Sequence, residues 1–357
     1  MSARKPVLFV TNHAPPFRVG AFALLHARED VVFALIGGDV RHGGGGTRGE
    51  LPFPVLRPSE RGVGALAASG RFRAVIAGLS GRVALPSAYA GARAARVPFV
   101  LWATIWRHPR TAAHALSYLP LRHIYRHADA IATYGPHVSA YVRGKGARGP
   151  VIEAPQAVDG GFWQAPAVPA RRAAFQALFA GRLEPEKGVD VLLAAWRAAD
   201  MSAPVERLVL VGEGSLAGAA AESGALTLGR RTATQLRNSY AGSDVVVLPS
   251  VPTRDFLEPW GLTVNEAFHQ GAPVIATDAV GAAAGGLVQH ERTGLIVPAG
   301  DPHALAAALR RLRDDTSLRA RLGSAARTAV APYTQSAWAA AMSEALAASR
   351  ARKGLLA

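Results

Sequence analysis

Short apolar runs alternate with helical patterns through the first half of the chain. Strands are predicted for these runs, near residues 7–11, 31–36, 74–78, 98–102, 130–133 and 151–154. Apolar runs separated by helices are typical of a parallel sheet with helices on both faces. The pattern therefore predicts an α/β domain with a doubly wound sheet over residues 1–160.

The alternation starts again after a stretch rich in proline and glycine. That stretch runs from Pro155 through residues 159–161 to 166–169, a composition typical of a linker. In the second half, strands are predicted near residues 175–180, 207–211, 226–228, 245–248, 274–277 and 295–297. A second doubly wound domain is therefore expected over residues 161–335. Ligands are expected outside the carboxyl ends of the strands, in a cleft across which the two domains face each other.

Two carboxylates follow the apolar run at residues 244–250. Glu258 and Glu266 are separated by seven residues, about two helical turns, so both could face one ligand. Between them, Gly261 lets the backbone come close, and free N–H groups of residues 262–264 would point outward at the positive end of a helix. Such a site suits a sugar nucleotide, since the helix end binds phosphates and carboxylates accept hydrogen bonds from hydroxyls. The alternative is that Glu258 caps the helix and Glu266 is solvated.

Two cations occupy a second predicted strand-to-helix loop, at residues 179–190. Arg182 and Lys187 follow Gly181, and a helix is expected to begin near Gly188. A forked guanidinium and a point-like ammonium on one loop can clamp a diphosphate. Lys187 is also one of only four lysines in the chain, so composition alone rarely places a lysine there.

These two stretches resemble the donor site of glycosyltransferase family 4, retaining enzymes of the GT-B fold. The matching motifs are Gly181-Arg182-x4-Lys187-Gly188 and Glu258-x7-Glu266. The resemblance is specific over residues 175–330 and weaker in the first half. It implies that Arg182 and Lys187 hold the donor diphosphate, Glu266 the ribose and Glu258 the donor sugar. It also implies an acceptor-binding first domain and a final helix, within residues 336–357, that returns to that domain.

Two loops of the first half carry further candidates. Arg18 and Gly20 precede a helix predicted to begin at Ala21, where they could contact a phosphate or the acceptor, although a rigid turn explains them equally well. This loop lacks the consecutive glycines that are common in the family. His108 follows the strand at 98–102, where family members often carry an active-site histidine. With an ordinary pKa of about 6.5 it could orient the donor sugar or assist proton transfer, or it is only a loop residue.

A glycine-rich turn follows the strand predicted at 207–211. Residues 212–217 fit the dinucleotide fingerprint, and Arg230 and Arg231 stand where a 2′-phosphate of NADP would be bound. The resembling glycosyltransferases carry a similar turn beside the donor. We therefore predict that Gly212 and Gly214 line the sugar-nucleotide site and that Arg230 and Arg231 lie near the base. Surface exposure is the alternative for both arginines.

The composition narrows the function classes. The chain has 357 residues, enough for two domains, a net charge of +15 and no cysteine, which excludes disulfides and thiolate chemistry. The charge is spread out, so contact with an anionic membrane surface is favoured over nucleic-acid binding. No long uncharged apolar run and no signal-peptide pattern is found, which predicts a cytoplasmic protein, peripheral at the inner membrane face.

These observations predict a retaining glycosyltransferase of the hexosyltransferase type. It would move a sugar from a nucleoside diphosphate sugar to a hydroxyl acceptor, without a cofactor or metal. The loop cations and the helix end at Gly261, Leu262 and Thr263 would supply the positive potential that a metal otherwise provides. Charge and family favour a lipid-linked or cell-envelope acceptor, as in polysaccharide or glycolipid biosynthesis, chosen by residues 41–56 and 106–121.

Three alternatives stay open. An NADP-dependent oxidoreductase would depend on residues 212–217, 230 and 231. A non-catalytic protein that binds nucleotide sugars or polyanions would depend on the net charge. A sugar-nucleotide epimerase would share the fold, but its usual acidic and histidine residues are not evident in the sequence. The zinc-protease motif His-Glu-x-x-His and the serine-hydrolase motif Gly-x-Ser-x-Gly are absent from the sequence.

Overall fold

The computed structural model describes residues 4–37, 50–79, 81, 83–169 and 173–356. Contacts divide the chain into two compact units. The first comprises Met1–Asp159 and Thr334–Ala357, and the second comprises Gly160–Tyr333. Of the predicted acceptor segment at 41–56, residues 41–49 lie outside the described part of the chain.

The first unit contains a parallel sheet of seven strands in the order β3-β2-β1-β4-β5-β6-β7. The strands are β1 Val7–Thr11, β2 Val31–Leu35, β3 Val55–Leu56, β4 Ala74–Gly78, β5 Phe99–Ala103, β6 Ala130–Thr133 and β7 Val151–Glu153. The helices are α1 Pro16–Glu29, α2 Val63–Ala68, α3 Ala84–Ala94, α4 Ala112–His127, α5 Pro136–Gly144 and, from the end of the chain, α14 Gln335–Leu356.

The second unit contains a parallel sheet of six strands in the order β10-β9-β8-β11-β12-β13. The strands are β8 Phe175–Ala180, β9 Glu206–Val211, β10 Leu226–Thr227, β11 Val245–Leu248, β12 Val274–Thr277 and β13 Gly294–Val297. The helices are α6 Gly160–Gln164, α7 Val189–Ala198, α8 Ala217–Glu222, α9 Ala233–Ala241, α10 Thr263–His269, α11 Gly281–Ala284, α12 Pro302–Asp314 and α13 Thr316–Val330.

The central strands are buried along their whole length, which is why they form continuous apolar runs in the sequence. Every residue of β1, β4 and β5 is buried, as is every residue of β11 and β12. Helices cover both faces of such a sheet, so neither face needs polar side chains. The prediction of two α/β domains with doubly wound parallel sheets is confirmed.

Helix α14 belongs to the core of the first unit. It packs against α1, β5, β6 and β7. Its Trp338 is completely buried, with its ring 5.6 Å from that of Phe22 in α1 and 5.7 Å from that of Trp102 in β5. Residues 334–356 therefore complete a domain whose other residues come from the start of the chain.

The sequence prediction missed two local features. Strand β3 has only two residues, too few for a recognisable apolar run. Helix α1 begins at Pro16, five residues before the predicted start at Ala21. Proline is favoured in the first turn of a helix because its fixed φ suits the helix and its missing N–H would have no partner there. The proline pair that suggested a loop is thus a helix start.

Candidate functional site

The strands of the second sheet reverse their order between β8 and β11. From β8 the chain continues to β9 and then β10 on one side, whereas from β11 it continues to β12 and β13 on the other. Neighbouring loops diverge at such a point and leave a crevice outside the carboxyl ends of the strands, where α/β sheets bind ligands. The predicted residues Arg182 and Lys187 follow β8, and Glu258 and Gly261 follow β11. The structure thus places both predicted motifs at the reversal point of one sheet.

Lys187 and Glu258 form an ion pair across this point. The Nζ atom of Lys187 donates a short hydrogen bond to Oε2 of Glu258, and Oγ of Ser250 donates to the same oxygen at 3.1 Å. Glu258 is 9% exposed, and Nζ of Lys187 also lies 4.8 Å from the ring centroid of Phe256. The positive and negative groups predicted to contact a diphosphate and a sugar therefore form an ion pair with each other.

Gly188 makes this pairing possible. It has a φ of 68° and is the residue before α7, so it turns the chain from the loop into the helix. A Cβ at this position would overlap with the carbonyl oxygen of Pro249. Only glycine combines this backbone conformation with so close an approach. The contact holds the loop that carries Lys187 against the segment that follows β11.

The start of α10 presents backbone donors at the same edge. Gly261 has a φ of 92°, and a Cβ there would crowd Leu248. Within the described residues, the N–H groups of Leu262 and Thr263 donate no hydrogen bond, whereas that of Val264 donates to the carbonyl of Gly261 at 3.0 Å. The prediction that residues 262–264 all present free amides is therefore wrong for Val264, because a tight first turn satisfies its N–H.

Glu266 lies one turn further along α10 and contacts Tyr240 of α9. The hydroxyl of Tyr240 donates to Oε2 of Glu266 at 2.7 Å. Desolvation by burial raises the pKa of Glu266 to about 7, and the hydrogen bond from Tyr240 opposes this increase only in part. The motif predicts an ionised, acceptor-only carboxylate at Glu266. Its side chain is half-buried, and this loss of contact with water raises its pKa because desolvation disfavours the charged form.

A hydrogen bond from a side chain connects α10 to β8. The Oγ1 atom of Thr263 donates to the carbonyl oxygen of Ala180 at 3.2 Å. This bond fixes the first turn of α10 beside the end of β8, where the loop with Arg182 begins. The amides, the lysine and both carboxylates are thus held on elements joined by direct contacts.

Arg182 and the predicted glycines meet beside this loop. The guanidinium of Arg182 donates to Oε1 of Glu186 at 2.6 Å, with 40% of its side chain exposed. A Cβ on Gly212 would overlap with the carbonyl oxygen of Gly181, and one on Gly214 would overlap with Leu183. The absence of side chains at Gly212 and Gly214 therefore lets the end of β9 pack against the backbone around Arg182.

Arg231 lies two residues after Gly229, whose carbonyl oxygen accepts a hydrogen bond from the N–H of Gly212 at 2.9 Å. Arg231 is exposed, and its neighbour Arg230 forms a 3.6 Å ion pair with Glu213 on the surface. The helix after the glycine turn, α8, has only six residues. A dinucleotide site places its pyrophosphate on the first turn of a well-formed helix, so this geometry gives little support to the NADP alternative.

Arg18 and Gly20 lie in α1, not in a loop, which corrects the prediction. Arg18 is 4% exposed and donates hydrogen bonds to the hydroxyl of Tyr134 at 3.1 Å and to Oε1 of Gln156. Burial lowers the pKa of its guanidinium. Gly20 faces the side chain of Gln335 in α14, with which a Cβ would overlap. Both residues therefore serve the packing of α1 inside the first unit.

His108 lies between β5 and α4 of the first unit. Its Nε2 atom is 2.7 Å from the carbonyl oxygen of His114, which makes Nε2 the protonated nitrogen. Its Nδ1 atom is buried and has no hydrogen-bond partner among the described residues. The side chain lines an open pocket with Trp106, Arg110 and Lys145.

Sequence reasoning missed Tyr240, Ser250 and Phe256. Ser250 and Phe256 are close in sequence to Glu258, so inspection of the residues around the motif could have identified them. Tyr240 is 26 positions from Glu266, and only the packing of α9 against α10 brings the two together. No sequence signal marks it.

Two features of the described residues bear on metal and membrane binding. No group of three or more histidine, aspartate or glutamate side chains there could hold a metal ion. No helix in the same residues is long and apolar enough to cross a bilayer.

Comparisons with known proteins give a consistent result for the second unit. Residues 174–315 match the family model described as Glycosyl transferases group 1. A D-inositol 3-phosphate glycosyltransferase from Streptomyces avermitilis is 36% identical over 169 residues, which are 42% of this chain and 34% of the relative. The chain thus spans about a third of the length of the curated relatives it matches.

Solved structures share the fold over nearly the whole chain. HepE from Anabaena, in complex with UDP, has a TM-score of 0.75 at 19% identity, over 96% of this chain and 99% of HepE. A glycosyltransferase from Rickettsia africae has a TM-score of 0.72 at 14% identity, over 96% of this chain and 98% of that protein. The chain therefore has the fold of the GT-B glycosyltransferases, and its residues 174–315 are similar to the group 1 glycosyltransferase domain.

Proposed function

We propose that this protein is a retaining glycosyltransferase that transfers a sugar from a nucleoside diphosphate sugar to a hydroxyl group. The observation that carries the proposal is the Lys187–Glu258 pair at the reversal point of the second sheet, beside the free amides of Leu262 and Thr263. HepE, which shares the fold, is a protein whose structure contains UDP. Retention of configuration is proposed from the motif resemblance.

The diphosphate of the donor would replace Glu258 as the partner of Lys187. Arg182 and the amides of Leu262 and Thr263 would add donors, so the negative charge that develops on the departing diphosphate meets fixed positive groups. These groups need no reorganisation during the reaction, because glycine contacts and hydrogen bonds already hold their loops. We propose that they remove the need for a divalent metal.

Release from Lys187 would free Glu258 to accept hydrogen bonds from hydroxyls of the donor sugar. Ser250 already holds Oε2 of Glu258, so the carboxylate is oriented before the sugar arrives. Glu266 would accept hydrogen bonds from the ribose, and these bonds would favour its ionised form. In this account Glu258 and Glu266 position the donor, and neither forms a covalent intermediate.

The acceptor is proposed to be bound by the first unit and to be a cell-envelope or lipid-linked hydroxyl compound. A cytoplasmic protein in peripheral contact with an anionic membrane fits one surface feature. Leu116 and Leu119 of α4 are 84% and 70% exposed, and Arg110, two residues before the helix begins, is exposed as well. Exposed apolar side chains beside cations favour binding to the interface of an anionic bilayer.

Thermal stabilisation by nucleotides tests the proposal. Ligands that bind the native state raise the melting temperature by mass action, so UDP, GDP, ADP and NADPH are compared on the wild-type protein, Lys187→Ala and Glu266→Ala. One nucleoside diphosphate should stabilise the wild type, and both substitutions should weaken the effect. Stabilisation by NADPH alone, unchanged in both variants, would refute the transferase and favour the oxidoreductase.

A further inference from the structure

The first unit contains an open pocket lined by its own residues. It has a volume of about 640 Å³ and is formed by the loop after β5, the first turns of α4 and the end of α5. This volume is typical of a small-molecule site, for which about 300–1,000 Å³ is usual. The family model matches only residues 174–315, which all belong to the second unit, so it does not describe this pocket.

The pocket is lined by cationic groups. Arg107, Arg110 and Lys145 contribute to its wall, together with His108. Among the described residues that line it, there is no aspartate or glutamate. Thr111, the residue before α4, also lines the pocket, so the positive end of that helix is directed toward the same space. Arg110 and Lys145 therefore give the pocket a positive potential that no carboxylate in its described wall neutralises.

One buried donor of the pocket residues has no partner in the described structure. It is the hydroxyl of Tyr141. Because buried polar groups in native proteins are nearly always hydrogen-bonded, such atoms need an explanation. Desolvation raises the pKa of Tyr141 to about 12, so its hydroxyl keeps its proton at neutral pH and can donate. A ligand with several acceptor oxygens would satisfy this donor.

Lys145 is already held in place. Its Nζ atom donates to the hydroxyl of Tyr118 at 3.3 Å and lies 5.1 Å and 5.2 Å from the ring centroids of Tyr118 and Tyr141. An ammonium has three N–H donors, and the hydrogen bond to Tyr118 uses one of them. Arg110 is exposed and forms no hydrogen bond among the described residues, so its forked guanidinium can turn toward an anion.

We propose that this pocket binds a phosphate group carried by the acceptor of the transfer reaction. A phosphomonoester presents two negative charges and several acceptor oxygens, which matches an Arg, a Lys and a Tyr hydroxyl better than a neutral hydroxyl compound does. The volume exceeds that of phosphate alone and leaves room for an attached polyol. The assignment of this phosphate to an acceptor depends on the proposed function, whereas binding of the phosphate does not.

A binding experiment on the full chain tests the pocket. Glucose 6-phosphate, glucose and inorganic phosphate are titrated at constant ionic strength into the wild type, the double variant Arg110→Ala/Lys145→Ala and Tyr141→Phe. Arg122→Ala is the matched control, because Arg122 is an exposed cation on α4 that does not line the pocket. We expect glucose 6-phosphate to bind at least about tenfold more tightly than glucose, and the double variant to lose at least about tenfold in affinity. Tyr141→Phe should lose a few-fold, and Arg122→Ala should behave as wild type.

A second measurement identifies the source of the phosphate. Co-sedimentation with phosphatidylglycerol vesicles is compared with that of phosphatidylcholine vesicles for the same proteins. If only phosphatidylglycerol vesicles bind, and the double variant but not Arg122→Ala reduces that binding, the pocket takes a lipid headgroup. If soluble phosphate esters bind and vesicles do not, the pocket takes a free phosphorylated acceptor.

The proposal is overturned if the double variant binds both glucose 6-phosphate and phosphatidylglycerol vesicles as the wild type does. It is equally overturned if Arg122→Ala weakens either binding as much as the double variant does. It is also overturned if the double variant loses nucleoside diphosphate binding instead, since the pocket would then serve the donor. Wild-type stabilisation by a nucleoside diphosphate tests the donor site separately. Failure of that test would leave the phosphate measurement valid.

Discussion

The pKa of Glu266 leads to a quantitative prediction for nucleotide binding. Burial raises this pKa to about 7. Under the proposed function, ribose hydroxyls donate to the carboxylate, so the ligand binds the ionised form and lowers the pKa. If only the ionised form binds, the observed Kd equals the Kd of the ionised form multiplied by the factor 1 + 10^(pKa − pH). The Kd at pH 6 should then be about tenfold higher than at pH 8, a difference of about 1.4 kcal/mol.

Isothermal titration calorimetry measures this linkage in two ways. The Kd is determined from pH 6 to pH 8 with the nucleoside diphosphate that stabilises the protein most. Titrations at pH 7 in buffers of different ionisation enthalpy give the protons released, which should be about half a proton per ligand bound. Glu266→Gln is the matched control, because its side chain stays neutral while the ligand's own phosphates titrate unchanged. An equal pH slope in wild type and Glu266→Gln would refute the ribose contact.

The same pKa shift predicts a stability effect without ligand. The folded-state pKa of Glu266 is raised from 4.5 to about 7, so the folded protein binds more protons than the unfolded chain between these values. The stability of the wild type relative to Glu266→Gln should therefore fall as the pH rises from about 4.5 to about 7. Urea unfolding of both proteins at pH 5 and pH 8 measures this change, and a constant difference would show that Glu266 is not desolvated.

Three further predictions concern the ion pair, its glycine and the metal. Lys187→Ala should raise the Kd for the nucleoside diphosphate at least about tenfold, and it should lower the melting temperature because Glu258 loses its cation. Glu258→Gln should keep nucleotide affinity within about threefold but lower the transfer rate at least about 100-fold. An unchanged transfer rate would exclude Glu258 from the site. Gly188→Ala should lower the free energy of unfolding in urea by at least about 1 kcal/mol more than Gly70→Ala does. Both glycines have a positive φ, but only Gly188 faces a carbonyl oxygen, that of Pro249. Equal losses in the two variants would contradict this contact. EDTA should leave the transfer rate unchanged in a radiolabelled-sugar assay, and a loss restored by Mg²⁺ would show that the loop cations do not suffice.

The strands could be predicted from the sequence because their environment is uniform. A central parallel strand is buried on both faces, so a run such as residues 245–248 contains only apolar residues. No comparable sequence pattern indicates that Arg18 is buried. A charged residue beside a glycine and two prolines suggests an exposed loop, yet contacts with Tyr134 and Gln156 bury it inside the domain. Those partners are more than a hundred positions away, so no local pattern could indicate them.

The site motifs were recognisable because each is a contiguous segment attached to the end of one strand. Whether the segments meet depends on which strands are neighbours, and the sequence does not state that β8 pairs with β11. The charge state of Glu266 depends likewise on desolvation inside the folded unit, which residue type alone does not report. Residue types could thus be assigned to a ligand from the sequence, whereas pairing and protonation required the three-dimensional contacts.

The discontinuity of the first unit sets an order for folding during synthesis. The ribosome completes residues 160–333, all of the second unit, before it makes the helix that carries Trp338. The second unit is one continuous segment and can fold as soon as it emerges, since domains generally fold as units. The first unit, although its strands are made earlier, keeps an open apolar surface around Phe22 and Trp102 until α14 arrives. A nascent chain stalled before residue 334 should therefore contain a folded second unit and an aggregation-prone first unit, the reverse of their order along the chain.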